Sequence, residues 1–365
     1  MTLHHIHSGY IPIILWIKII PDKKYILCSM IKRRIMEITR DISFRLPYGD
    51  VIINCFFGKY YTKLIKSDEM STGGSCDARY CYSVWMRHLI NYYNESGKIP
   101  SIVVEFGPGD SIGTGIAALL SGCDQYYALD FMKYSGMENV MNIYDQMITL
   151  FKNHTDVPDD REYPKIKPKL ESYKFPDHII SPEVIDKNLS DERLDAIKES
   201  LNNLSNDHNI IINNMISYLA PWENTILPEI NPELIFSQAV LEHIDNLENA
   251  YSVMASISVK ETYMSHDIDF KSHGCSKYWN GQWSYSDSLW QTIRGTRPYF
   301  INREPLSTHL KLFSKNGFKI IKCIQNNEGF GSSSISRKKL RGKFTRLSDD
   351  DFQTSSAYIL AKYNE

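Results

Sequence analysis

The 365-residue chain has no surplus of charge of either sign: 41 Lys and Arg stand against 43 Asp and Glu. That balance removes the long-range attraction that draws proteins to nucleic acid or to anionic membranes, and it leaves a small or locally recognised partner. Cysteine is sparse and odd in number, seven residues at Cys28, Cys55, Cys76, Cys81, Cys123, Cys275 and Cys323. The paired framework of a small secreted domain is thereby excluded, and a reducing cytoplasm fits best. Cys76 and Cys81 have no second Cys or His pair at ligand spacing nearby, so they read as ordinary thiols rather than a zinc site. Long apolar runs are missing too. Residues 10–20 (YIPIILWIKII) form a strongly apolar stretch, but a membrane span needs about 20 such residues, and Lys18, Asp22, Lys23 and Lys24 interrupt this one. No small-residue cleavage site follows it, so a strand or helix packed on the domain is the expectation, with the basic triplet Lys32-Arg33-Arg34 beside it. No internal repeat is visible.

What is present is an alternation of periods. After a polar, small-residue stretch at 67–75, Tyr82, Trp85, Met86, Leu89, Ile90 and Tyr93 fall at helical spacing. Ile102, Val103 and Val104 then make a short β-branched run ending in Glu105 and a turn, Gly107-Pro108-Gly109. A helix over about 111–122 and a strand over 126–129 complete a β-α-β unit. Residues 131–210 intervene before the next core strand at 234–237. They carry an amphipathic helix (Val140, Ile143, Tyr144, Met147, Ile148, Phe151), a polar helical stretch at 190–203, and prolines 158, 164, 168, 176 and 182 between them. This pattern predicts an inserted lid or substrate subdomain. A helix with capping-box spacing at Asp245 and Glu248, a strand near 262–265, a helix ending at Asn316-Gly317 and strands at 318–324 and 357–363 follow. The expected fold is α/β: a Rossmann-like, seven-stranded, mostly parallel sheet with one antiparallel edge strand, over residues 76–365, preceded by an N-terminal extension and linker at 1–75.

The densest chemistry lies in residues 103–110 (VVEFGPGD) with Asp130 closing the next strand. Glycines at 107 and 109 let backbone approach a ligand where a β-carbon would collide, and the following helix adds its amides. Asp130, about 20 residues beyond the turn, is placed to accept hydrogen bonds from both hydroxyls of a ribose. Together these describe an adenosine site. Glu105 argues against a nicotinamide dinucleotide, because a carboxylate at the end of the first strand would repel a pyrophosphate. Glu105 and Asp110 instead suit a cationic ligand. A second signal is the run 235–243 (IFSQAVLEH), a strand emptying into a loop.

The pattern Glu105-x-Gly107-x-Gly109-Asp110, the Ala-Leu-Asp ending at Asp130, and IFSQAVLEHI from 235 resemble the class I S-adenosylmethionine-dependent methyltransferase superfamily. The wording GPGDSIGTGIAALLSG resembles a bacterial group found with polysaccharide-biosynthesis proteins. The resemblance covers about residues 76–325. It implies S-adenosyl-L-methionine as cofactor, with Glu105, Gly107 and Gly109 along its methionine and ribose side, Asp130 on the ribose, and Ser237 with Gln238 beneath the sulfonium. Two departures stand out: the adenine-facing position lacks its usual Asp, leaving Asn214, Ser217 or Tyr218, and Val259-Lys260-Glu261-Thr262 replaces a common Pro-Gly-Gly turn.

For an acceptor hydroxyl a base helps, and His243, His266, Asp269 and His273 are the candidates. His266, Asp269 and His273 could alternatively bind a divalent metal, but base or substrate contact is preferred and no metal is expected. Trp279, Trp283, Tyr285, Trp290 and Tyr299 interleave with Asn280, Gln282, Arg294, Arg297, Asn302 and Arg303, a composition that suits a polyhydroxylated ring. Trp283, Arg303 and His273 are the substrate residues expected, Arg303 for a phosphate or carboxylate. The basic run at 337–346 reads as a solvated surface. The expected activity is methyl transfer to a small acceptor, by preference to oxygen on a sugar or polysaccharide precursor, without nucleic acid or integral membrane contact. A non-catalytic adenosine-binding module and an NAD-type oxidoreductase are the alternatives.

Overall fold

The computed structural model describes residues 49–64, 74–132, 139–204, 210–212, 215–222, 227, 229–297, 299–328 and 331–364. The apolar run at 10–20, the basic triplet at 32–34, Cys28 and Asn214 lie outside them.

Among the described residues one eight-stranded sheet organises the fold, in the order β3-β4-β2-β1-β5-β6-β8-β7. Its strands are β1 (Ile102–Phe106), β2 (Gln125–Leu129), β3 (Ile210–Ile212), β4 (Ile216–Leu219), β5 (Leu234–Gln238), β6 (Tyr263–Asp269), β7 (Phe318–Asn327) and β8 (Thr354–Tyr363). β4, β2, β1, β5 and β6 run parallel. The expected α/β architecture is present, with two details added. The antiparallel strand β8 lies one place inside the edge, between β6 and β7, and β3 adds an eighth, antiparallel strand at the opposite edge.

Helices cover both faces because the central strands are apolar on both sides, as parallel strands must be when crossovers bury them. On one face lie α2 (Ala78–Ser96) and α3 (Gly113–Leu120), on the other α7 (Leu247–Ser256) and α9 (Leu306–Lys315). Helix α2 starts where the Asp77 side chain accepts from the Arg79 amide at 2.8 Å, and it stops at Gly97, whose φ of 72° lets its amide reach the Tyr93 carbonyl. Its apolar stripe, Tyr82, Trp85 and Leu89, is wholly buried against the sheet.

The insertion contains α4 (Val140–Lys152), α5 (Pro182–Asn188) and α6 (Asp191–Leu204). Met147, Phe151, Ile180, Ile197 and Leu201 join the same apolar cluster as α2 and α3, so residues 139–204 thicken that side of the sheet as an outer layer. Helix α1 (Gly49–Leu64), expected to belong to an extension and linker, packs on α8 (Asp287–Arg294): Val51 and Cys55 lie against a cluster of Trp290 and Ile293, and the Gly58 carbonyl accepts from the Thr296 amide at 2.8 Å. Among the described residues, no helix is long and apolar enough to cross a membrane.

Candidate active site

Strand order reverses between β1 and β5. The crossover leaving β1 goes to the α3 face and the one leaving β5 to the α7 face, so a crevice opens beyond their carboxyl ends, where ligands bind in open α/β sheets. A cavity of about 480 Å³ occupies this place, walled by Glu105, Gly107, Gly109, Asp130, Gln238 and His243 among others. Of the inserted segment at 131–210, Phe131 lines it and none of residues 139–204 does.

The turn after β1 is shaped by positive φ. Gly107 (φ 69°) donates its amide to the Leu129 carbonyl at 2.8 Å, and a β-carbon there would stand 2.6 Å from Cγ1 of Val240. Gly109 (φ 73°) donates its amide to Oδ2 of Asp130 at 3.1 Å, while Oδ1 of Asp130 accepts from the Phe131 amide at 2.7 Å. Asp130 is thereby held by backbone on two sides. Burial pushes its carboxyl up to about 7, against the pull of the Gly109, Phe131 and Met132 amides. Glu105 accepts from the Tyr126 hydroxyl at 2.5 Å, and burial lifts it to about 8, with the Asp130 charge adding to the rise. Two carboxyls thus face one cavity in surroundings that resist their charge.

Gln238 enters the cavity from the end of β5, and its amide is fixed by groups that the sequence pattern had not singled out. Its Nε2 donates to Asp267 at 2.7 Å and its Oε1 meets Nε2 of His88 at 3.3 Å; Nδ1 of His88 in turn meets Ser265, which meets the Tyr358 hydroxyl. Burial lowers His88 to about 4, so the ring is neutral. The signal was available: Trp85, His88 and Tyr92 repeat at helical spacing on the buried stripe.

Several expected residues lie elsewhere. Ser237 and His266 are register partners on the opposite face of the sheet, joined at 2.7 Å, with the His266 ring against Phe313 in the cluster of Ile235, Met264 and Ile268. Burial lowers His266 to about 3. The structure therefore gives His266 no route to a substrate in the cavity and takes Ser237 from beneath the cofactor place. Ser217 is buried within β4, and Asp110 is buried beside the turn, its amide donating to Ser75 at 2.9 Å; neither is among the cavity walls. Trp283 is wholly buried and donates to the Arg303 carbonyl at 2.9 Å. Arg303 lies against Trp290 and Phe344, at 4.7 and 5.0 Å, and donates to the Tyr285 carbonyl and Asp287, so it holds the fold together away from the cavity. The expected sugar-facing wall from these two residues does not form. Replacing Arg303 by Met removes two cation–π contacts and the bond to a buried carbonyl, and is expected to cost about 2–3 kcal/mol in urea unfolding with cofactor affinity unchanged.

His243, Asp269 and His273 do come together. The His243 ring packs edge-on against His273 with centroids 4.9 Å apart, and Nε2 of His273 stands 3.5 Å from Oδ2 of Asp269. Burial drops His243 to about 3. Burial alone would raise Asp269, but its hydrogen bond to His273 and the nearby positive charges outweigh that and lower it. Only His243 of the three reaches the cavity wall.

No protein-family model and no curated protein matches the chain. Solved structures overlap it at low similarity. A putative S-adenosylmethionine-dependent methyltransferase from Listeria monocytogenes is 11% identical, with 79% of this chain and 100% of that one covered and a TM-score of 0.36. Magnesium protoporphyrin IX methyltransferase from Synechocystis PCC 6803, with bound SAH, is 12% identical, with 86% and 99% covered and a TM-score of 0.35. The putative methyltransferase solved with the Haloferax volcanii Trm112 activator is 10% identical, with 79% and 94% covered and a TM-score of 0.35.

Proposed function

We propose that the chain transfers a methyl group from S-adenosyl-L-methionine to a small acceptor. The observation that carries this is the pair of buried carboxyls, Glu105 and Asp130, facing one cavity at the sheet's switch point across a glycine turn. Once ionised, both would meet a pyrophosphate as like charges, whereas a ligand with a sulfonium, an ammonium and a ribose offers each a partner that favours its ionised form. The site therefore fits the methionine-derived cofactor and opposes the dinucleotide. When bound, that cofactor supplies an already activated methyl group, so little chemistry is asked of the chain beyond alignment. Asp130 accepts from ribose hydroxyls, Glu105 pairs with the ammonium end, and Gln238, locked by His88 and Asp267, fixes the polar wall beside β5. Trp222 and Phe131 supply apolar walls, and His243, Asn246 and Tyr299 border the acceptor side. Those polar groups favour a hydroxyl acceptor on a small polyhydroxylated molecule such as a sugar or polysaccharide precursor.

Calorimetric titration with S-adenosylmethionine, S-adenosylhomocysteine and NAD tests the reading: the first two are expected to saturate one site and NAD to give no heat. Binding of NAD, or of none of the three, overturns it. A pH series adds a sharper expectation. Below the folded values of about 7 for Asp130 and about 8 for Glu105, each carboxyl carries a proton that must leave before Asp130 can accept from both ribose hydroxyls and Glu105 can meet the ammonium. Affinity for S-adenosylmethionine is therefore expected to rise by about tenfold or more between about pH 5.5 and 7.5, since one pK unit is worth about 1.4 kcal/mol. A flat profile would show both carboxyls charged throughout.

A further inference from the structure

Beside the cavity, the 3₁₀ turn at Leu241–His243 and the loop after β6 bring Glu242, His243 and His273 together, with one potential ligand atom from each within 4.8 Å of the others. Glu242 is 3% exposed, and neither of its carboxylate oxygens has a hydrogen-bond partner among the described residues; the amides of Glu242 itself and Asp269 only lean towards them. Nδ1 of His243 is likewise buried without a partner. Buried polar atoms are nearly always satisfied, and unpartnered atoms on two adjacent residues whose ligand atoms lie within 4.8 Å of a third from His273 mark a place built for something else. Each neutral imidazole keeps one lone pair beside its N–H, and those two lone pairs with the carboxylate make a donor set that a cation can use.

We infer that Glu242, His243 and His273 bind one divalent transition-metal cation at the acceptor side of the cavity. Two nitrogen donors with one carboxylate favour Mn²⁺, Co²⁺ or Zn²⁺ over Mg²⁺ and Ca²⁺, which take oxygen ligands. Asp269 completes the arrangement from outside: its Oδ2 lies 3.5 Å from Nε2 of His273, the carboxylate-to-imidazole contact that fixes the ring of a ligating histidine. The His273 side chain is 26% exposed, which leaves the cation a route in, and its backbone takes a left-handed φ of 46°. His243 belongs both to this cluster and to the cavity wall, so the cation borders the space where an acceptor would sit. Its role there rests on the methyltransferase reading: a hydroxyl or carboxylate oxygen of the acceptor would take an open coordination position and be oriented by the metal.

The test is titration of the full chain with Co²⁺, followed by visible absorption and calorimetry. One Co²⁺ per chain is expected, with ligand-field bands of a nitrogen-containing site, and Mn²⁺ should displace it competitively. His273→Asn keeps a residue that tolerates positive φ and removes an imidazole; Glu242→Gln keeps the shape and removes the charge. Each is expected to weaken Co²⁺ binding by about tenfold or more, the scale of losing even an outer partner of a metal ligand. S-adenosylhomocysteine affinity, measured on the same samples, should stay within about twofold and reports that the variants are folded. No saturable Co²⁺ binding by wild type, or binding that both variants keep in full, overturns the site. Co²⁺ binding by a chain that takes no S-adenosylhomocysteine leaves the metal site standing and removes the methyltransferase reading, so the two claims fail separately.

Discussion

Titrated with S-adenosylhomocysteine, the Asp130→Ala protein is expected to bind at least about 100-fold more weakly than wild type. Hydrogen bonds to a charged group contribute about 1.5–3 kcal/mol each, so two lost to ribose hydroxyls amount to about 3 kcal/mol or more. The side chain is well placed to deliver that full amount, because the Gly109 and Phe131 amides already hold its carboxyl and no rotamer freedom remains to be lost on binding. Asp130→Asn separates charge from shape: it keeps one acceptor and is expected to lose about tenfold. Fold is not expected to suffer in either. The folded value of about 7 lies above the ordinary 3.8, so burial of the charged form opposes folding increasingly as pH rises from about 3.8 and in full above about 7. Removing the group relieves that opposition, and the melting temperature at pH 8 is expected to hold. A 100-fold loss of affinity with an unchanged melt assigns Asp130 to the ligand; unchanged affinity removes the ribose role and with it the anchor of the proposed function.

The part of the site around Asp130 was legible because its determinants are local. A β-branched run, two glycines, a helix and an acidic residue about twenty positions on form one continuous β-α-β unit, and the structure brings Glu105, Gly107, Gly109, Asp130 and Gln238 to one cavity. His266 was misplaced for a reason also written in the sequence. On a strand, residues two apart share a face, so Met264 and Ile268 commit His266 to their own apolar side. The same alternation sends Ser237 away from the cavity and Gln238 into it. Trp283 and Arg303 carry no such periodicity, since they sit in a loop region where only tertiary contacts decide between an aromatic wall and an aromatic core. The cluster of Glu242, His243 and His273 joins positions about thirty residues apart, and that proximity exists only once β5 and β6 are paired. Two of the insertion's helices, α4 and α6, are visible from their spacing; α5 is not, because Pro182, read as a breaker, stands at its first turn, and the face of the sheet they cover is not visible either.

Gly107→Ala is expected to be the most damaging single methyl group in the chain's cofactor turn: a loss of about 2–4 kcal/mol of stability, and S-adenosylhomocysteine binding too weak to measure. Two costs add. At a φ of 69° an L residue gives up about 1 kcal/mol relative to glycine. The new β-carbon would also lie 2.6 and 2.7 Å from the two γ-carbons of Val240, and overpacking of this kind costs about 1–3 kcal/mol. Val240 cannot swing aside cheaply. Its side chain is branched at Cβ, and its carbonyl accepts from the His243 amide at 2.8 Å, which ties it to the turn bearing Glu242 and His243. Pushing Val240 therefore displaces the acceptor side of the cavity together with the cofactor side. Adding Val240→Ala to Gly107→Ala removes the collision and leaves only the backbone cost, so the pair is expected to recover about half of the lost stability, a coupling of about 1–2 kcal/mol in a double-mutant cycle. Additive effects in that cycle would mean that the two turns do not press on each other, and that Gly107 is required for its backbone conformation alone.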